Sequence, residues 1–315
     1  MTATAPPLGR SQGSPAEPSR IASRRRLRWR GYGLFALFAF PNLILIAVFA
    51  YAPVLGNLYL SLTRWDMISP QPTFVALENY TDLFTDANFG RVAMVTLIWV
   101  VTMVLGCGAI GLAFAVLFSA RLRGGGVVTT VAFAPHVLSG AAIAAIWLFI
   151  FDPNYGLPRA AFELVGATSP AWTTSTTWAL PALLIVSVWK SVGFVALIYL
   201  AALQGIPHEV REAALLDGAG PWRGFWHVIF PLLSPTTFFV TVTTIISAFQ
   251  SFDVIAMMTG GGPGGATTTL SWFIYDQGFR NFDAGYAAAG GMVMFLILLV
   301  VTAVQLRFVE RRVHY

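Results

Sequence analysis

The chain has 315 residues, of which 57% are hydrophobic and only 10% charged, and it carries a formal net charge of +5 at pH 7. Soluble domains carry about a quarter charged residues, so this balance excludes an ordinary soluble protein and places the chain in a membrane. Cys107 is the single cysteine, and His136, His208, His227 and His314 have no ligand-like spacing, which excludes an internal disulfide and a cysteine-based metal site.

Residues 1–30 are rich in Pro, Ser, Ala and Arg and end in Arg24, Arg25, Arg26, Arg28 and Arg30, the composition of a disordered basic cytoplasmic tail. An apolar run follows at about 33–55. It has no convincing small-residue cleavage site, so it reads as an uncleaved first helix and not as a secretory signal. Further apolar runs lie near 92–118, 127–150, 179–203, 230–252 and 286–307. Each approaches the ~20 residues needed to cross ~30 Å of hydrocarbon. The expected fold class is all-α: a membrane domain over 31–315 with six transmembrane helices, its core helices within 92–307 and a cytoplasmic loop at 204–229.

Arginines set the expected orientation. One set of connecting segments holds the N-terminal arginines, then Arg121 and Arg123, Arg211 and Arg223, and Arg307, Arg311 and Arg312. The alternate set holds Arg64, Arg91, Arg159 and Arg280, with most of the carboxylates. By the positive-inside rule both termini face the cytoplasm. On the opposite side, Glu78–Phe84 is expected to form a short interfacial helix, and Asp152–Gly156 a turn. The run Thr259–Gly265 is rich in glycine, but no Gly-Lys-Ser/Thr follows it, so it reads as a flexible gate or docking loop and not as a nucleotide site. No Ser/His/Asp set or carboxylate pair lies within one span, so no catalysis is expected of this chain.

The segment 206–231 is the longest charged, helix-forming stretch between two long apolar runs. Pro207 suits a helix start, where its missing N–H costs nothing. Glu209 and Glu212 favour the first turns through the helix dipole. Ala213, Ala214, Leu215 and Leu216 are good helix formers. Gly218 suits a left-handed helix end, and Pro221 the first turn of a second helix. The plain reading is a solvated amphipathic helix.

A sharper reading comes from resemblance. Glu212-Ala213-Ala214, Asp217-Gly218-Ala219 and Pro231 resemble the Glu-Ala-Ala loop of permease subunits in bacterial ATP-binding-cassette (ABC) importers, with Val228 and Phe230 where the pattern has Ile and Leu. The pieces Leu77–Phe84, Asp152–Leu157, Val188–Lys190, Leu203–Pro207 and Thr259–Pro263 occur in the order seen in the carbohydrate-uptake branch, the maltose and glycerol-3-phosphate type. Ala266–Leu270 with Ile274-Tyr275 and Gly278-Phe279, and the ending from Val304 to Tyr315, are most similar to the first permease subunit of the glycerol-3-phosphate systems.

The resemblance implies a type I ABC importer permease fold in the bacterial cytoplasmic (inner) membrane. It implies a second homologous permease, a pair of ATPase subunits that bind ATP and Mg2+, and an extracytoplasmic substrate-binding protein. No cofactor in this chain and no nucleic-acid partner are expected; the remaining partner is membrane lipid. Glu212, Ala213, Ala214, Asp217 and Gly218 are then the ATPase-coupling residues. By alignment with the maltose permease, Ser187 and Ser191 on one helix face, with Phe194 beyond them, fall on the substrate pathway. Thr244 falls at a corresponding place in span five, as does Ala248, which has no hydrogen-bonding side chain; Ser247, Gln250 and Ser251 are its polar neighbours. The alternative for each hydroxyl is a bond to its own or a neighbouring helix. Lys190, the only lysine, needs an anion or water within a span. It either attracts a phosphate-bearing substrate or forms a structural pair, for which Asp253 is one candidate. The expected substrate is glycerol-3-phosphate or a glycerophosphodiester, with a sugar or oligosaccharide second. Two rivals are a membrane assembly protein without a path and a secondary transporter, which needs an inverted repeat and broken mid-span helices. Neither feature is evident from the sequence.

Overall fold

A computed structural model describes residues 37–119 and 125–310. The expected tail at 1–30 lies outside these residues, as do Arg121, Arg123, Arg311 and Arg312. Packing divides the chain after Gly56. The first unit, where described, is an apolar helix that belongs to α1 (Leu37–Ser61) and contains a π-helical turn at Ala47–Tyr51. Phe38 and Phe49 stand about three-quarters exposed on it, a surface suited to hydrocarbon.

The second unit begins at Asn57. Two short strands, β1 (Thr63–Arg64) and β2 (Thr73–Phe74), pair antiparallel, a local hairpin that an all-α reading omits. The short helix α2 (Glu78–Thr85) follows where it was expected. Its Asn79 is buried and donates to Ser61 O at 2.9 Å and Thr63 O at 2.8 Å, satisfying carbonyls at the end of α1 and in the hairpin.

Span two is α3 (Ala87–Ser119), longer at its start than hydropathy indicated. Span three is not one helix. It breaks into α4 (Gly125–Val137) and α5 (Gly140–Ile150), which meet at 102°. Hydropathy runs smoothly across the break, so a single helix over 127–150 was the wrong expectation. Ser139 is the cause that can be named: it is extended, with φ −63° and ψ 144°, and its Oγ accepts the Ala142 N–H, starting a new helix. A short helix, α6 (Leu157–Leu164), lies in the next connection, after the Asp152–Gly156 turn.

Span four is α7 (Ala179–Gln204). Beyond it come α8 (His208–Leu216) and α9 (Pro221–Gly224), which continues through a π-helical turn at Phe225–Ile229. Span five starts later than expected and is also interrupted: α10 (Ser234–Phe249) stops, and α11 (Asp253–Met258) resumes after three non-helical residues, 250–252. A short helix, α12 (Leu270–Tyr275), precedes span six, α13 (Ala284–Glu310).

The core joins spans two to five. Trp99, Cys107, Ile143, Leu183, Val186, Val240 and Ile255 are buried together. Helix backbones approach closely where side chains are absent, which is how helices associate without a hydrophobic drive between them. A Cβ on Gly111 of α3 would lie 2.6 Å from Val195 of α7, and one on Gly193 of α7 would strike the Ala132 carbonyl of α4. The glycine-rich run 259–265 is a knit turn, unlike the flexible loop that composition suggested. Thr267 is fully buried and donates to Gly262 O at 2.8 Å, Thr268 donates to Gly261 O at 2.9 Å, and Arg91 reaches Gly264 O at 3.2 Å.

Candidate transport cavity and coupling loop

The segment between spans four and five is a helix, a tight turn and a helix, as the residues dictated. Pro207 is extended at φ −54° and ψ 141° and precedes α8. Gly218 takes φ +77°, a conformation that strains a residue with a Cβ. The Gly218 N–H bonds to Leu215 O and the Ala219 N–H to Ala214 O, each at 3.0 Å, which closes the end of α8 in a Schellman arrangement. Gly220 is extended and Pro221 opens α9. Glu212, Ala213, Asp217 and Gly218 are exposed, and Ala214 is half-buried. Glu212 Oε1 meets His208 Nδ1 at 3.1 Å, one turn back on the same helix. Arg211 donates to Leu203 O at 2.6 Å, which fastens α8 to the end of span four.

A cavity of about 540 Å³ lies among spans two to five. The expected pathway residues all line it: Ser187, Lys190, Ser191 and Phe194 from α7, Thr244 and Ser247 from α10, and Ser251 from the break in span five. Their spacing explains the convergence, since residues three or four apart share one helix face. Ala248, the residue without a hydrogen-bonding side chain, is instead buried in the core. Ser187 is 4% exposed and its Oγ has no hydrogen-bond partner among the described residues. Gln250 lines the break as well. Lys190 Nζ and Asp253 Oδ2 are 3.2 Å apart, so the pairing considered for the lone lysine is present.

Sequence reasoning missed Thr243 and His136. His136 had been read as one of four scattered histidines, yet it lines the cavity and stacks on Phe194 with ring centres 4.6 Å apart and planes 7° apart. The available signal was an ionisable residue inside an apolar run, which by default marks a functional position in a membrane protein.

The geometry is thus a cavity walled by two interrupted spans, three and five, and two continuous ones, two and four, with spans four and five joined by a structured loop. Against known families, residues 108–315 match the model described as binding-protein-dependent transport system inner membrane component. This chain belongs to that family. The permease is 36% identical over 306 residues to the sn-glycerol-3-phosphate transport system permease protein UgpA of Yersinia pestis bv. Antiqua (strain Antiqua), covering 96% of this chain and 99% of that one. It is 34% identical over 278 residues to the protein of the same name from Brucella abortus biovar 1 (strain 9-941), covering 87% of this chain and 94% of that one. Its fold matches a chain in the crystal structure of a bacterial alginate ABC transporter in complex with an alginate pentasaccharide-bound periplasmic protein. There the TM-score is 0.77 at 21% identity, over 93% of this chain and 98% of that one.

The permease is therefore a multi-span, all-α transmembrane subunit of an ABC importer, with the importer permease fold. Membership implies an inner-membrane location and partner subunits: a second permease, an ATPase and a substrate-binding protein. The broken spans do not revive the secondary-transporter reading, because the family match identifies a subunit of a binding-protein-dependent system.

Proposed function

We propose that this permease forms half of the pathway by which glycerol-3-phosphate or a glycerophosphodiester crosses the membrane, driven by a separate ATPase pair that binds ATP and Mg2+. The observation that carries the reading is the cavity between spans four and five, lined by hydroxyls, an amide and a lysine. Hydroxyl and amide groups match a polyol backbone, and Lys190 matches a phosphate. The relatives named for sn-glycerol-3-phosphate transport support the same solute class. A neutral sugar is the second reading, favoured by the Asp253 carboxylate beside Lys190, which offsets the cavity's positive charge.

In this account both termini and the loop at 204–229 face the cytoplasm, and the turns at 152–156 and 259–265 face the binding protein. Glu212, Ala213, Ala214, Asp217 and Gly218 meet the ATPase. Exposed Leu216 and Trp222 enlarge the apolar surface beside them. Closure of the ATPase pair moves α8 as a rigid body, and Arg211 passes the motion to span four.

The test is reconstitution of the four-part complex in proteoliposomes with ATP inside, followed by uptake of labelled glycerol-3-phosphate and of labelled maltose. Uptake of the phosphorylated solute, dependent on ATP and on the binding protein, is the expected result. Uptake of maltose alone moves the assignment to the sugar reading, and uptake of neither removes both.

A further inference from the structure

Three helices meet at one point beside the cavity wall. Span four brings Lys190, span five resumes at Asp253, and span three resumes at Gly140. Gly140 is buried, and a Cβ there would run into the Asp253 carboxylate. The carboxylate therefore touches both Lys190 and the first residue of α5, an eleven-residue helix whose start carries partial positive charge. One side chain ties the second half of span three, the second half of span five and the middle of span four together.

We propose that Asp253 stands in for the anionic group of the solute. Its carboxylate holds Lys190 until a phosphate takes its place, and the exchange releases the tie among the three spans. This proposal rests on the phosphorylated-solute reading given above. The two partners differ in the way the exchange requires. The Lys190 side chain is 20% exposed and that of Asp253 is 54% exposed. A displaced Asp253 turns into water at little desolvation cost, whereas a lysine left unpaired within a span is costly, so Lys190 always keeps an anion. A phosphate offers more charge and more acceptor oxygens than a carboxylate, and so competes for the ammonium group. Ser187 adds an independent sign of a ligand: it is more than nine-tenths buried, its hydroxyl has no hydrogen-bond partner among the described residues, and it lines the same cavity three residues before Lys190. It donates to an oxygen of the bound solute.

The exchange makes the charge of the solute the trigger. A neutral polyol fits among the hydroxyls but displaces nothing, and the tie holds. An anionic solute frees α5 and α11 from α7. Spans four and five flank the loop at 204–229, so their altered packing reaches the ATPase side.

The test uses the complete complex in proteoliposomes and reads two quantities: ATP hydrolysis without solute, and the KM for glycerol-3-phosphate uptake. Asp253→Asn removes the competing charge. Solute-free hydrolysis is then expected to rise and KM to fall, each by about fivefold. Lys190→Gln raises KM by roughly tenfold or more, the loss expected for a charged hydrogen bond. If Asp253→Asn does not assemble with the ATPase, Gly140→Ala, which pushes the carboxylate away from its seat, must raise solute-free hydrolysis. Unchanged hydrolysis in the assembled variant, or a KM that rises as it does for Lys190→Gln, overturns the proposal. The two readings fail separately: an unaltered complex that takes up no glycerol-3-phosphate sinks the solute assignment, while unchanged solute-free hydrolysis in Asp253→Asn sinks the exchange.

Discussion

Gly193 shows how a single residue sets the cavity wall. It lies on α7 beside Phe194, and an added Cβ would meet the Ala132 carbonyl and the Phe133 backbone of α4. Those are backbone atoms, so the two helices must separate if the position is filled. Gly193→Ala is expected to destabilise the protein by roughly 1–3 kcal/mol, the usual cost of overpacking. Gly108 on α3 is the comparison, because nothing lies within 4 Å of an added Cβ there. Gly108→Ala is expected to be neutral or stabilising by up to about 1 kcal/mol, from helix propensity alone. Thermal unfolding in detergent checks the pair: a lower Tm for Gly193→Ala and none for Gly108→Ala. Equal shifts would show that close approach at Gly193 does not hold the wall. His136 belongs to this scale too. Its stacking on Phe194 depends on that approach, and no local pattern in the sequence reports a contact between residues 58 positions apart.

At the scale of elements, the coupling loop and the broken spans teach opposite lessons. The loop was legible because its signals are local. Pro207, Gly218 and Pro221 each restrict or permit one backbone conformation, and each adopts it. Gly218→Val is expected to strain the turn by roughly 1–2 kcal/mol, the cost of a left-handed backbone for a residue with a Cβ. Glu212→Lys reverses the charge offered to the ATPase. Both variants are expected to insert and to keep their solute cavity, yet to lose most ATP-driven uptake: at least about nine-tenths for Glu212→Lys, the loss expected from one charged hydrogen bond, and a large share for Gly218→Val, whose strained turn displaces the end of α8. Retained uptake with normal substrate-stimulated ATP hydrolysis in both would show that this loop does not couple. The breaks were hidden because hydropathy is blind to them. Pro135, the obvious suspect, sits inside α4, and the chain turns only at Ser139, whose capping hydroxyl is a one-residue signal inside a long apolar run. In span five Gln250 and Ser251 were visible as polar neighbours of the pathway and Asp253 as one candidate partner for Lys190. These three line the cavity, and the helix is interrupted at 250–252.

For the whole molecule, the spans follow from length and hydropathy, and the face each span turns inward follows from helical spacing. What spacing does not report is which helices meet. Spans four and five were expected to form the path, and spans two and three add Met103 and His136 to it. The central claim is mechanical: a separate ATPase acts on the loop at 204–229 and moves the spans around the cavity. Cys107 is the sole cysteine and is buried, so Cys107→Ser gives a clean background for one new thiol. The decisive measurement is cross-linking of Glu212→Cys in that background to a single cysteine on the ATPase surface, in inverted membrane vesicles, with and without ATP. The account predicts a cross-link to the ATPase whose yield changes with nucleotide. A thiol that reacts only with impermeant reagents added from the opposite face, or that never reaches the ATPase, would contradict it.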